Sequence, residues 1–168
     1  MTRIRCLAWS LLSLVLLAGC GSGSGDVPDV ETGRFTAQVQ GATNTSMAGR
    51  AVVRREGGHV SGIELAVDST RGLSIDIDPH RRPQGTYEVV DWELLGVDRG
   101  EAPPGATAFL ELPGARFQAV AGTLAVSYAS DSEVSGSFVF RMEGRYTRGV
   151  ADDEPFVSVT GSFRAVQE

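Results

Sequence analysis

A chain of 168 residues with 15 basic and 21 acidic side chains carries a formal charge of −6, and every basic residue is Arg because Lys is absent. That balance argues against nucleic acid as a partner and against electrostatic docking on anionic lipid, both of which need clustered positive charge. Two cysteines, Cys6 and Cys20, are too few for the disulfide framework that many exported domains use.

The first segment has the layout of a secretory signal peptide. Arg3 and Arg5 make a short positive start, Leu7 to Ala18 form an apolar run broken by Ser10 and Ser13, and small residues lead to Gly19 and Cys20. The run is shorter than the roughly 20 apolar residues that a bilayer-spanning helix needs.

The exit is sharper than a generic cleavage site. Leu17-Ala18-Gly19-Cys20 resembles the lipobox of bacterial lipoproteins at all four positions. The resemblance implies cleavage before Cys20, a diacylglyceryl group on its sulfur and acylation, palmitate or similar, of the new amino terminus. Two or more chains give stable attachment where a single myristoyl chain holds only marginally. Gly21 follows where similarity to enterobacterial sorting would need Asp for inner-membrane retention. The expected location is therefore the cell envelope, at the outer membrane, facing the periplasm or the cell surface. Cys6 leaves with residues 1–19, so the mature chain has no internal disulfide to form. It retains 13 Arg against 21 acids, a formal charge of −8. The competing reading is an ordinary secretory signal with Cys20 near the cut by chance.

Residues 20–32 read as the lipidated cysteine and a leash. Gly21-Ser22-Gly23-Ser24-Gly25 has almost nothing to bury, and Asp26, Asp29 and Glu31 with Pro28 keep the rest solvated. Residues 33–168 then make a single domain of about 136 residues, large enough to bury a core without metal or disulfide support.

Within that domain, alternation with a period of two dominates. Phe35, Ala37 and Val39 share one parity, as do Ile63, Leu65 and Val67, and then Leu73, Ile75 and Ile77. Segments 47–55, 86–93, 106–112 and 116–120 read as further strands. Leu124, Val126 and Tyr128 repeat the alternation, as do Phe138, Phe140 and Met142, and Val157, Val159, Phe163 and Ala165 close the chain. Gly57-Gly58, Ser69 to Gly72 and Pro113-Gly114 punctuate these runs as short turns. Longer loops fall at 79–85, 96–105 and 148–154. The expected fold is all-β, an antiparallel β-sandwich or flattened barrel of about nine strands.

One pattern recurs: Val134-Ser135-Gly136-Ser137-Phe138 matches Val159-Thr160-Gly161-Ser162-Phe163. Glycine inside a strand marks a bend or a close approach of another chain, and aromatic rings can cover such glycines in curved sheets. The two segments are expected to pair in a final hairpin. The layout also loosely resembles small β-domain bacterial lipoproteins, through Phe35 to Gly41, Gly85-Thr86-Tyr87 and the closing Val-x-Gly-x-Phe strand. That resemblance implies no activity and assigns no functional residue.

Candidate chemistry is sparse. Asp76 and Asp78 share a strand face, with His80 just beyond Pro79, and such ligands could help to hold Ca²⁺. They are weak candidates for a metal, because the solvent face of an amphipathic strand carries the same residues. Asp152-Asp153-Glu154 is a second acidic group on a loop. A Ser-His-Asp set would need His59 or His80 as its base, and no Gly-x-Ser-x-Gly elbow is present. Tyr87 and Trp92 could form an exposed platform for sugar rings, although aromatic residues more often join the core. Arg54-Arg55 and Arg81-Arg82 are expected to pair with neighbouring acids.

No catalytic set and no cofactor is legible. The leading expectation is a non-enzymatic, lipid-anchored envelope module that binds a protein or glycan partner or serves a structural role. A carrier of small hydrophobic ligands in a barrel cavity, and a hydrolase, are the alternatives.

Overall fold

The computed structural model describes residues 29–78, 83–90, 105–147 and 155–167, with the backbone alone at 145–147. Nine strands fill these segments: β1 (Arg34–Gly41), β2 (Thr45–Glu56), β3 (His59–Ala66), β4 (Gly72–Ile77), β5 (Gly85–Val89), β6 (Gly105–Leu112), β7 (Ala115–Ala129), β8 (Glu133–Thr147) and β9 (Phe156–Val166). No helix occurs among the described residues. The all-β class read from the alternation is the class the chain adopts.

The strands hydrogen-bond in the order β1-β2-β3-β4-β6-β5-β7-β8-β9, and β9 returns to β1, so the sheet closes on itself as a barrel. Among the described strands, closure leaves no long unpaired edge of the kind that invites aggregation. Pairing is antiparallel except for β5 with β6, at Glu88↔Gly105 and Val89↔Ala106, and a single bridge between β2 and β9 at Val52↔Val166. β6 meets β7 directly only over Phe109–Leu112. Where those two strands part, β5 wedges between them and pairs Gly85–Glu88 with Thr123–Val126 of β7.

The barrel has two distinct ends. At the near end the chain enters β1. Gly33 donates its N–H to the carbonyl of Arg164 on β9 (2.7 Å), and its own carbonyl accepts from Ala51 of β2 (2.8 Å). The 57–58 and 130–132 turns lie here too, joined by Arg55, which donates to the carbonyls of Gly58 and Ser130. Arg164 braces β8 against β9 by two hydrogen bonds to the Glu133 carboxylate, at 3.1 and 3.2 Å. At the far end lie the β1–β2 connection, the β3–β4 turn, the β6–β7 turn and the start of β9.

Inward side chains follow the alternation closely. Phe35, Ala37 and Val39 of β1 are buried while Thr36, Gln38 and Gln40 are exposed. Burying one such large apolar side chain stabilises the fold by roughly 1.5–3 kcal/mol. The five buried phenylalanines share one further property: each stands opposite a glycine on the neighbouring strand. The pairs are Phe35↔Gly49, Phe117↔Gly144, Phe138↔Gly161, Phe140↔Gly122 and Phe163↔Gly136. A strongly curved sheet brings adjacent backbones and side chains too close for two bulky residues, so a ring lies over bare backbone. A Cβ added to Gly136 would fall 2.1 Å from the carbonyl oxygen of Ala125 and 3.1 Å from the Phe163 ring. The repeated Val-x-Gly-x-Phe segments therefore do pair, and reciprocally: each Phe covers the other's Gly. Phe138 stacks on Phe140 at 5.3 Å and on Phe163 at 6.4 Å between centroids.

The turns follow their glycines. Gly57 and Gly58 both have positive φ (59° and 85°), the requirement of the type I′ hairpin turn. Two expectations need correcting. Segments 116–120 and 124–128 are one strand, β7, continuous through register shifts at Arg116/Phe117, Ala119/Ala121 and Val126/Tyr128. The strand expected over 86–93 ends at Val89 among the described residues. The signal peptide, Cys20 and the leash as far as residue 28, and the loop at 148–154, lie outside the described residues.

Candidate functional site

The far end of the barrel holds a concave cavity of about 420 Å³. Four separated stretches build its wall. Ala42, Thr43 and Thr45 come from the β1–β2 connection, and Arg71 from the β3–β4 turn. Leu112, Pro113, Ala115 and Phe117 come from the β6–β7 hairpin, and Pro155 from the approach to β9. Six of these nine are apolar. Phe117 is 2 % exposed, so the cavity rests on the barrel's own core. Ligand sites are typically concave, mostly apolar and furnished with a few placed polar groups, at roughly 300–1,000 Å³.

The polar part of the wall is preorganised by the turn behind it. Asp68 accepts the Thr70 N–H and hydroxyl on Oδ1, both at 2.8 Å, the pattern of an Asx turn. Its Oδ2 accepts Arg71 Nε at 2.8 Å, with Nη2 at 2.7 Å. These donors, the Thr70 backbone N–H first and the Arg71 and Thr70 side chains next, hold the Asp68 carboxyl down at about 2. Arg71 is thereby fixed by one edge of its guanidinium, and Asp68 engages only two of the five N–H donors of that fork.

A second cavity, about 280 Å³, lies on the outer face over β3, β4 and β6. Glu64, Ser74 and Glu111 share its wall with Phe109, over whose ring the Arg116 guanidinium sits at 5.2 Å. Farther round, Val139 and Phe156 are exposed on β8 and β9, and Arg141 covers the Phe156 ring at 4.5 Å.

The described residues among those singled out in the sequence do not converge. Asp76 lies half-buried on β4 and pairs with Arg54, which also bridges to Glu64 at 3.0 Å. Asp78 follows the end of β4 and is only 5 % exposed, so it is enclosed rather than presented to solvent beside Asp76. His80 lies outside the described residues, as do Arg81-Arg82, Trp92 and Asp152-Asp153-Glu154. Among the described residues no three His, Cys, Asp or Glu side chains gather in a metal-binding group. His59 is exposed at the β2–β3 hairpin.

Tyr87 belongs to the core at 4 % exposure, with its hydroxyl donating to the Pro83 carbonyl at 3.1 Å, so it offers no sugar platform. Arg54 pairs with acids as expected, whereas Arg55 serves backbone carbonyls instead.

The sequence allows a ligand cavity within a closed barrel but marks none of the residues that line this far-end cavity. Its residues come from four places in the chain, and none of them carries a local motif. Comparisons with protein-family models, with curated proteins and with solved structures found no match to the chain.

Proposed function

We propose that the chain is a lipid-anchored binding module of the cell envelope, attached through Cys20 and presenting the far end of its barrel away from the membrane. The observation that carries this reading is an opposition of ends. The chain enters at Gly33, at the near end, and the cavity opens where β1 finishes, beside Ala42 and Thr43. An eight-residue strand spans about 24 Å between those points. A module tethered by its near end holds its concave face toward whatever approaches. The lipobox residues Leu17 to Cys20 and the Gly-Ser leash support the tether.

The test is fatty-acid labelling of the full chain in a bacterial host. Cys20→Ser should abolish labelling and leave the precursor uncleaved, and globomycin should likewise accumulate the precursor of the unmutated chain. Persistent labelling in Cys20→Ser, or a mature N-terminus without lipid by mass spectrometry, overturns the anchor.

The cavity favours small-ligand binding over a purely structural role, because its volume and apolar wall match a compact molecule. It lies at the barrel's mouth, over the buried ring of Phe117, rather than along an axis filled by Phe138, Phe140 and Phe163.

A further inference from the structure

We infer that the far-end cavity binds a compact apolar acid, with its hydrocarbon body against Leu112, Ala115 and Phe117 and its anionic group at Arg71. The inference rests on the reading of the chain as a binding module and names the ligand class of that same cavity.

Three observations converge on this class. The wall is apolar over its floor, so a ligand's hydrocarbon gains by leaving water there. Among the described residues that line the cavity, Arg71 is the only charged one. In a chain whose mature acids outnumber its bases, one cation among lining residues that are otherwise neutral where described is a specific complement to one negative charge. Finally, Asp68 fixes the guanidinium before any ligand arrives. A side chain already held in place loses less freedom on binding, so more of the interaction appears as affinity. Asp68 pairs with Arg71 and is not among the residues that line the cavity, so its carboxylate stabilises the cation without occupying the acceptor's place. Thr43 adds a hydroxyl to the wall that can donate to an anion.

The competing features carry less. The outer-face cavity over β3, β4 and β6 is walled by Glu64 and Glu111, which disfavour an anion, and it lacks a comparable apolar floor. Phe156 is already covered by Arg141.

The test uses two fluorescent probes of nearly the same shape. Anilinonaphthalene sulfonate is anionic and N-phenyl-1-naphthylamine is neutral. The protein is the chain from Gly21 onward, which retains every described residue and closes its whole hydrogen-bonded ring between Arg34 and Val166. Saturable one-site binding of the anionic probe is expected, with amide shift changes confined to residues 42–45, 71 and 112–117. Arg71→Gln should weaken the anionic probe about tenfold, the effect of about 1.4 kcal/mol, and leave the neutral probe within about twofold. Thr43→Trp should exclude both probes. Ala42→Trp, on the same exposed connection, does so independently should the first variant fail to fold. No saturable binding, binding that both tryptophans leave intact, or equal loss of the two probes in Arg71→Gln overturns the inference. Each of these outcomes is separable from loss of the anchor, because the probes are titrated against protein that carries no lipid.

Discussion

At the scale of single residues, the core is written in pairs. Phe35, Phe117, Phe138, Phe140 and Phe163 each take the space that a facing glycine gives up. The sequence shows one part of this plainly, in Val134-x-Gly136-x-Phe138 and Val159-x-Gly161-x-Phe163, because both partners sit in one short repeated pattern. Gly49, Gly122 and Gly144 give no such sign, since their rings come from strands that only the register brings alongside. Gly122 also adopts φ 129°, where a side chain is strained whatever the space. Gly136→Ala should lower stability by about 1–3 kcal/mol, because the new methyl meets the Ala125 carbonyl and the ring of Phe163 in an already filled core. Ser137→Ala, next door on the exposed face, should stay within about 0.5 kcal/mol. Urea midpoints of the two variants decide this; equal midpoints would remove the steric account of the glycines.

At the scale of elements, the β3–β4 turn is a charged device with a definite pH response. The Asp68 carboxyl is depressed from its ordinary 3.8 to about 2, chiefly by the Thr70 N–H and then by Arg71 and the Thr70 hydroxyl. A carboxyl that is more acidic folded than unfolded adds stability above its unfolded pKa and loses it as pH falls through the folded one. The contribution of this turn is therefore present above 3.8 and disappears toward about 2. The stability difference between the unmutated chain and Asp68→Asn should hold from neutral pH down to that window and shrink within it, as read by urea midpoints at pH 5 and pH 2.5. The group is solvent-exposed, so high salt should reduce the difference.

Element boundaries were readable where parity is constant and unreadable where it slips. Ile63 and Leu65, like Leu73 to Ile77, keep one parity throughout, and β3 and β4 appear in the sequence much as they fold. β7 buries Phe117 and Ala119 on odd positions but Leu124 and Val126 on even ones, because the shift at Ala119/Ala121 moves the pattern by one residue. A bulge inserts one residue without ending a strand, so a single long strand looks like two short ones.

At the scale of the whole molecule, stability is a property of the closed ring. β9 pairs along its length with both β1 and β8, and Phe163, Val159 and Val157 bury their side chains inside. A chain stopped at Pro155 loses both ladders and leaves β1 and β8 as open edges. It should lose the cooperative thermal transition of the complete protein, seen by far-ultraviolet circular dichroism; retention of that transition would show the remaining strands to be self-sufficient. The strand order itself had little trace in the sequence. β5 inserts between β6 and β7, antiparallel to β7 and parallel to β6 over two residue pairs, and a parallel neighbour carries no hairpin signal to announce it. The far-end cavity is illegible for the same reason, since its wall exists only once four connections meet.

The position of β1 between two partners also decides how the barrel bears load. Arg34 to Val39 are hydrogen-bonded in register to β2 on one side and to β9 on the other, and Gly33 is clamped by both. Antiparallel ladder bonds run across the strands, so tension arriving through the N-terminus is directed along β1 and strains its rungs together instead of peeling them one by one. The first strand is a handle gripped on both sides.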